Sequence, residues 1–212
     1  MSTRVWASGS GALAMVFALQ VGCVVDDGND DASAEGSAVD DEGNDDGNDD
    51  GGVGADVPDS PYCSGVSAWG ASETSFEVAV LDLVNLARAS ARSCGGQSFA
   101  ATGPVVMEPR LRCAARVHSL DMAERGYFDH TNLEGESPFD RMERAGYEFR
   151  AAGENIAAGQ PTPEEVVNGW LDSPGHCSNI MSPDFQELGV GYYATQSGQF
   201  PHYWTQVFGT SL

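Results

Sequence analysis

An abrupt change in composition near residue 60 limits how much of this 212-residue chain can build a hydrophobic core. Residues 24–59 contain 14 Asp or Glu, no Arg and no aromatic residue, and Gly, Asn and Ser supply most of the rest. Such a segment cannot bury enough apolar surface to offset the conformational entropy lost on folding. We therefore predict an acidic, extended tether over residues 23–60 and one folded domain over residues 61–212, which is long enough for a single core.

The N-terminus has the pattern of an export signal over residues 1–22. Arg4 supplies a positive charge, a mostly apolar stretch follows from Val5 to Leu19, and small residues precede Cys23. The run Leu19-Gln20-Val21-Gly22-Cys23 resembles a bacterial lipoprotein box, in which the cysteine becomes the lipidated mature N-terminus; ordinary signal cleavage near Cys23 is the alternative. The sequence thus predicts an exported protein, either a cell-envelope lipoprotein that contacts the membrane through lipidated Cys23 or a secreted protein.

The charge excludes one class of partner. The formal net charge is −22, there is no lysine, and the part after residue 59 carries nine Arg against 18 Asp or Glu. Proteins that bind nucleic acids need a basic surface. We expect no nucleic-acid partner.

The cysteines support export. With Cys23 set aside, four cysteines remain, and an even number in an exported domain indicates two disulfides. Three pairings are open. We favour Cys94–Cys113, which would close a loop between two predicted helices, and this leaves Cys63–Cys177.

Apolar periodicity predicts four helices, followed by strands. The helices are expected at 75–93, 109–125, 138–145 and 163–172, with caps at Thr74 (as a capping box with Glu77), Ser137 and Thr162, and with Pro174-Gly175 as the break after the fourth helix. Two strands at 187–195 and 203–208 suggest an antiparallel hairpin, and a short strand near 149–152 adds a third. Helices first and a hairpin last favour the α+β class.

Several motifs then carry a family resemblance over about residues 76–209. They are Ala114-Ala115-Arg116-Val117-His118-Ser119-Leu120-Asp121-Met122-Ala123, Phe128-Asp129-His130-Thr131, Asp140-Arg141-Met142, Gly146-Tyr147, Gly153-Glu154-Asn155-Ile156-Ala157, Trp170-Leu171-Asp172-Ser173-Pro174-Gly175-His176, Asn179-Ile180-Met181, Glu187-Leu188-Gly189-Val190-Gly191-Tyr192 and Tyr203-Trp204-Thr205-Gln206-Val207-Phe208-Gly209. In this order they resemble the bacterial extracellular branch of the CAP superfamily, also called the SCP-like or cysteine-rich secretory, antigen 5 and pathogenesis-related 1 domain. The resemblance implies an α–β–α sandwich with a small antiparallel sheet between helical layers.

Three residues form the candidate site: His130, Glu154 and His176. Imidazole and carboxylate groups transfer protons and bind metals. The resemblance implies that these three side chains line one cleft and hold zinc or another divalent cation; the alternative is that Glu154 pairs with a histidine and supports the loops. His118 is expected to be a neutral core or cleft-lining histidine, and His202 a histidine at the end of a strand.

The sequence leaves two functions open. The first is a cell-surface or extracellular binding module for a lipid, a sterol or a cell-surface ligand, the classes that the resemblance implies. The alternative is a metal-dependent hydrolase, a peptidase or an esterase, that uses the same cleft with Glu154 as the candidate catalytic residue.

Overall fold

A computed structural model describes residues 57–212 of the chain. The predicted export signal over residues 1–22, the lipidation at Cys23 and nearly all of the tether over residues 23–60 therefore lie outside the described residues. The helices of the described part are α1 (Ala71–Arg88), α2 (Pro109–Arg125), α3 (Pro138–Arg144), α4 (Pro163–Asp172) and α5 (Pro174–Met181). Its strands are β1 (Arg92–Cys94), β2 (Gln97–Phe99), β3 (Val106–Met107), β4 (Phe149–Ala158), β5 (Glu187–Ala194) and β6 (His202–Ser211).

A four-stranded sheet in the order β3-β5-β6-β4 forms the middle layer. The β5–β6 pair is the antiparallel hairpin that the sequence predicts, and β6 also pairs antiparallel with β4. The short edge strand β3 adds a parallel pair through Val106 and Glu187. The α+β class is confirmed, with a sheet that is antiparallel apart from this edge.

Helices cover both faces of the sheet. The apolar side chains of α1, α4 and α5 pack with Trp204 and Phe208 on one face. On the other face α2 packs against Ile156 and Tyr203. This arrangement is the expected α–β–α sandwich.

Two glycines of β5 let α2 approach the sheet very closely. A Cβ atom on Gly189 would lie 2.1 Å from the carbonyl carbon of Leu111, and one on Gly191 would lie 2.3 Å from the carbonyl carbon of Ala115. Both would overlap with backbone atoms, which cannot rotate away as a side chain could. The Gly189-Val190-Gly191 sequence therefore sets the spacing between β5 and α2, the helix that precedes His130.

Local capping explains where some helices begin. Ser137 caps α3 in a capping box with Asp140, and the hydroxyl of Thr162 accepts a hydrogen bond from the backbone N–H of Glu165 at the start of α4. The capping box expected at Thr74 and Glu77 was wrong. Helix α1 begins one turn earlier, after Gly70, and Glu77 is a buried residue of its interior.

Glu77 instead joins α1 to α2. Its carboxylate lies 2.8 Å from a guanidinium nitrogen of Arg112 and 2.8 Å from one of Arg116, and all three side chains are almost fully buried. A buried acid needs such partners because its charge loses the stabilisation of water. Thr74 and Glu77 therefore match the spacing of a capping box by coincidence. The Glu77 carboxylate instead holds α1 against α2.

Helix α4 ends at Asp172, as expected, but the helix that follows it was not expected. Pro174 occupies the first position of α5, where a missing N–H costs nothing. Strand β4 is ten residues long and continues through Glu154 and Asn155, whereas only residues 149–152 were expected. Buried polar side chains in β4 hid its alternating pattern.

The described residues contain two disulfides, as predicted, but the favoured pairing was wrong. The bonds are Cys63–Cys113 and Cys94–Cys177, in place of Cys94–Cys113 and Cys63–Cys177. Cys63 precedes a short helical turn that packs on α2, where its neighbour Val66 shares a cluster with Ala114. Cys94 lies in the β1–β2 hairpin, which contacts α5 and thereby Cys177. Loop closure between two helices was therefore the wrong criterion, since packing of the flanking segments decides the partners.

Candidate functional site

The centre of the candidate site is a buried carboxylate with both oxygens occupied. Glu154 lies in the middle of β4 and is 3% exposed. Its Oε1 atom is 2.8 Å from Nδ1 of His130, and its Oε2 atom accepts a hydrogen bond of 2.7 Å from Nη2 of Arg141. Because a carboxylate only accepts, His130 donates its Nδ1 proton. The structure thus confirms a pair between Glu154 and a histidine.

Arg141 also fixes the loop that carries His130. This loop begins where α2 ends at Gly126, whose φ of 68° is left-handed. Arg141, on α3, donates from Nη1 to the carbonyl oxygens of His130 at 2.9 Å and Glu136 at 3.1 Å. A single buried guanidinium therefore positions the loop backbone and the Glu154 carboxylate together.

The environment keeps Glu154 ionised. Burial by itself raises the pKa of its carboxyl group, but the positive charge of Arg141 and the neighbouring histidines outweigh burial and hold the pKa at about 2. A group with so low a pKa holds no proton near neutral pH. Glu154 is therefore suited to anchoring its partners and is poorly suited to general acid–base work.

His118 supports the same loop from α2. Its Nε2 atom lies 2.9 Å from the carbonyl oxygen of Asp129, and since that oxygen only accepts, Nε2 carries the proton. Burial lowers the pKa of His118 to about 4, so the imidazole is neutral near pH 7. This agrees with the expectation of a neutral core or cleft-lining histidine.

The helix of His176 lies on the other face of the sheet. Neighbouring side chains of a strand point to opposite faces, so Asn155 points away from the face of Glu154. The Asn155 side chain donates to the backbone carbonyl of His176 at 3.2 Å and to Gln206 at 2.9 Å. The structure thus brings His130 and Glu154 together and carries buried His176 on α5, against the opposite face. His202, the first residue of β6, pairs with Tyr192 at a strand end, as expected.

The residues around Glu154 do not fit a divalent cation as they are arranged. Both carboxylate oxygens already have partners, and the positive charge of Arg141 would lie beside the ion. Within residues 57–212, no group of three or more His, Cys, Asp or Glu side chains is placed to hold a metal ion. Metal binding by His130, Glu154 and His176 stays a prediction from the resemblance.

Sequence reasoning missed Arg141 as the main partner of Glu154. The signal available was its place in the motif Asp140-Arg141-Met142, but no rule of spacing links a residue of a short helix to a strand residue 13 positions later. The amides of half-buried Asn179 and buried Gln206, which bond Asn155 on the opposite face, had no signal beyond the same family pattern.

Comparisons with known proteins agree with this fold. The Bacillus subtilis (strain 168) protein YkwD is 47% identical over 105 residues, which are 50% of this chain and 39% of YkwD. The membrane protein YlbC of the same organism is 33% identical over 132 residues, which are 61% of this chain and 36% of YlbC. A crystal structure of an extracellular protein containing an SCP domain from Bacillus anthracis matches with a TM-score of 0.54 and 29% identity, over 66% of this chain and 41% of that chain.

These relatives are longer proteins, since the chain spans only 39% and 36% of the two B. subtilis proteins. The model of the cysteine-rich secretory protein family, CAP, matches residues 81–208. The match includes His130, Arg141 and Glu154 and covers more than half of the sequence. This chain belongs to the CAP family.

Proposed function

We propose that this protein is an exported binding module of the bacterial cell surface that holds an amphiphilic ligand, a lipid or a sterol, in a groove between α1 and α4. The groove is the observation that carries this proposal. Its volume is about 310 Å³, and its apolar lining includes Leu83, Leu86, Val167 and Leu171. Leu86 is 71% exposed, which leaves a large apolar residue in water on an otherwise acidic protein.

The rim of the groove suits the polar end of an amphiphile. The polar residues Ser90, Arg92, Asn168 and Glu164 lie beside the apolar ones, and the first three offer hydrogen-bond donors. An apolar wall with a few convergent polar groups is the usual composition of a small-molecule site. A fatty acid, with an acyl chain against the leucines and a carboxylate near Arg92, satisfies both parts.

Export accords with the relatives and with the sequence. The B. anthracis protein is extracellular and YlbC is a membrane protein by their descriptions. In residues 57–212 no helix is both long and apolar enough to cross a membrane. We propose attachment through a lipid on Cys23, from which a tether of 36 residues would give a root-mean-square reach of about 30–36 Å.

The alternative of a metal-dependent hydrolase in the Glu154 cleft has less support. A hydrolase of that kind needs a carboxylate that binds the metal or takes a proton from water. Both carboxylate oxygens of Glu154 already accept hydrogen bonds, one from His130 and one from Arg141. Its geometry favours a structural role in shaping the domain that presents the ligand groove.

The lipid proposal is tested with the fluorescent fatty acid cis-parinaric acid and the purified protein. We expect saturable binding that Leu86→Glu weakens at least about tenfold, because a carboxylate in the apolar wall must lose its hydration. Leu133→Glu is the matched control, since Leu133 is 58% exposed and lies on the loop between α2 and α3, away from the groove. Equal affinity in wild type and Leu86→Glu would remove the groove as the site.

Zinc titration by calorimetry tests the metal prediction. Because Arg141 already neutralises Glu154, we expect no saturable zinc site in the wild-type protein. The opposite result, one zinc site that both His130→Ala and His176→Ala abolish, would support the metal prediction and revive the hydrolase alternative. Ester and peptide turnover lost in Glu154→Gln would then identify the reaction.

A further inference from the structure

A second cavity lies on the other side of the molecule, between the N-terminal segment, α2, α3 and the loop that follows α2. Its volume is about 270 Å³, and Tyr62 and His118 are among the residues that line it. A water molecule occupies about 30 Å³ in the liquid, so one ordered water would not fill this space. The cavity is separate from the proposed lipid groove, because α1 and α4 pack on the opposite face of the sheet.

Two polar atoms of the lining are buried without a hydrogen-bond partner in the described part of the chain. One is Nδ1 of His118, which is fully buried. This atom can only accept a hydrogen bond, because the ring proton is on Nε2, which donates to the carbonyl oxygen of Asp129. The other is the hydroxyl of Tyr62. Buried polar atoms in folded proteins nearly always have partners. The pair therefore suits a ligand that donates a hydrogen bond to His118 and exchanges one with the Tyr62 hydroxyl.

The charged groups of the wall already have ionic partners, which balance their charges. Arg125, outside the lining, contacts Asp121 at 3.2 Å and Glu134 at 2.6 Å, and Arg141 of the wall pairs with Glu154. Arg144 pairs with Glu136, and its guanidinium lies 4.6 Å from the centre of the Tyr62 ring. A charged ligand would have to compete with these pairs. A neutral ligand whose hydroxyls both donate and accept can bond to carboxylates, guanidiniums, His118 and Tyr62 without disturbing the balance.

We propose that this cavity binds a neutral sugar unit, such as a hexose or an N-acetylhexosamine of an extracellular glycan. The hydroxyl groups of one sugar ring match the unpartnered acceptor of His118 and the hydroxyl of Tyr62. The cavity then gives the domain a glycan contact that is independent of the lipid groove.

Saturation-transfer NMR and calorimetry with N-acetylglucosamine and glucose test the proposal, with butylammonium and inorganic phosphate as charged comparators. We expect saturable binding of at least one sugar, no binding of the charged probes, and about fivefold weaker sugar binding in Tyr62→Phe, the loss of one hydrogen bond. Tyr62→Phe keeps the ring under Arg144, so the fold should be retained. Tyr193→Phe, whose ring contacts Trp69, serves as the tyrosine control and should bind like wild type.

Three results would overturn the proposal: no saturable binding of either sugar, equal sugar affinity in wild type and Tyr62→Phe, or a preference for a charged probe. Binding of cis-parinaric acid by Tyr62→Phe should be unchanged. The proposals of a sugar site and of a lipid groove can therefore be refuted independently.

Discussion

Replacing Glu154 by alanine is expected to lower the free energy of unfolding by about 3–5 kcal/mol, because it leaves the buried charge of Arg141 without a counter-ion. The Arg141 side chain is 1% exposed, so water cannot replace the lost carboxylate. The loop that carries His130 would lose an anchor in the same step, since Arg141 also bonds its backbone. Equilibrium denaturation with urea measures the change.

Two further variants make this prediction specific to the buried cluster. In Glu134→Ala an exposed carboxylate that pairs with Arg125 is removed, and we expect no measurable change in stability. The double variant Glu154→Gln, Arg141→Met removes both charges and should be more stable than Glu154→Ala. A stability of Glu154→Ala equal to that of wild type would mean that the cluster does not hold the domain together.

The second large effect is expected from Gly189→Ala. The added Cβ would lie 2.1 Å from the carbonyl carbon of Leu111 and 2.3 Å from the backbone nitrogen of Arg112, so α2 must move away from β5. We expect a loss of at least about 3 kcal/mol, the upper range for overpacking, because backbone atoms form the obstacle. Thermal unfolding followed by circular dichroism measures the change.

Gly169→Ala is the matched control for this substitution. Gly169 lies in α4, and no atom comes within 4 Å of a Cβ built there. Alanine should stabilise this helix by about 0.5–1 kcal/mol, since glycine is the poorer helix former. If Gly189→Ala melted at the wild-type temperature, the close approach of α2 to β5 would not be what fixes their spacing.

The sequence predicted the elements whose signals are local. Helices α2 and α4, and the cap of α3 at Ser137, follow from periodicity and from proline at the first helical position. Helix α5 was missed because a proline signals a break as readily as a start. Whether a helix stops at such a proline or a new one starts there depends on how the chain turns at Ser173. The packing of α5 against β4 and β1 decides this turn.

Only part of the site was predicted, because its contacts join residues that are far apart in the sequence. The pairing of Glu154 with a histidine was one of the expected alternatives, whereas Arg141 as its second partner was not expected. The alternation of β4 points Glu154 and Asn155 to opposite faces of the sheet, and it is Asn155 that bonds the backbone of His176. The disulfide partners were likewise beyond sequence reasoning, since they depend on where the segment before α1 and the β1–β2 hairpin settle.

The Cys63–Cys113 bond has a mechanical consequence for a domain held at its N-terminal end. Tension on the chain before Cys63 passes through the sulfur atoms directly into the second turn of α2, and residues 64–112 lie outside the path of the load. Helix α1 therefore cannot be peeled away by such a pull while the bond is intact. The force instead meets the layer in which α2 packs against β5 and β6, the part of the fold with the most extensive contacts between a helix and the sheet.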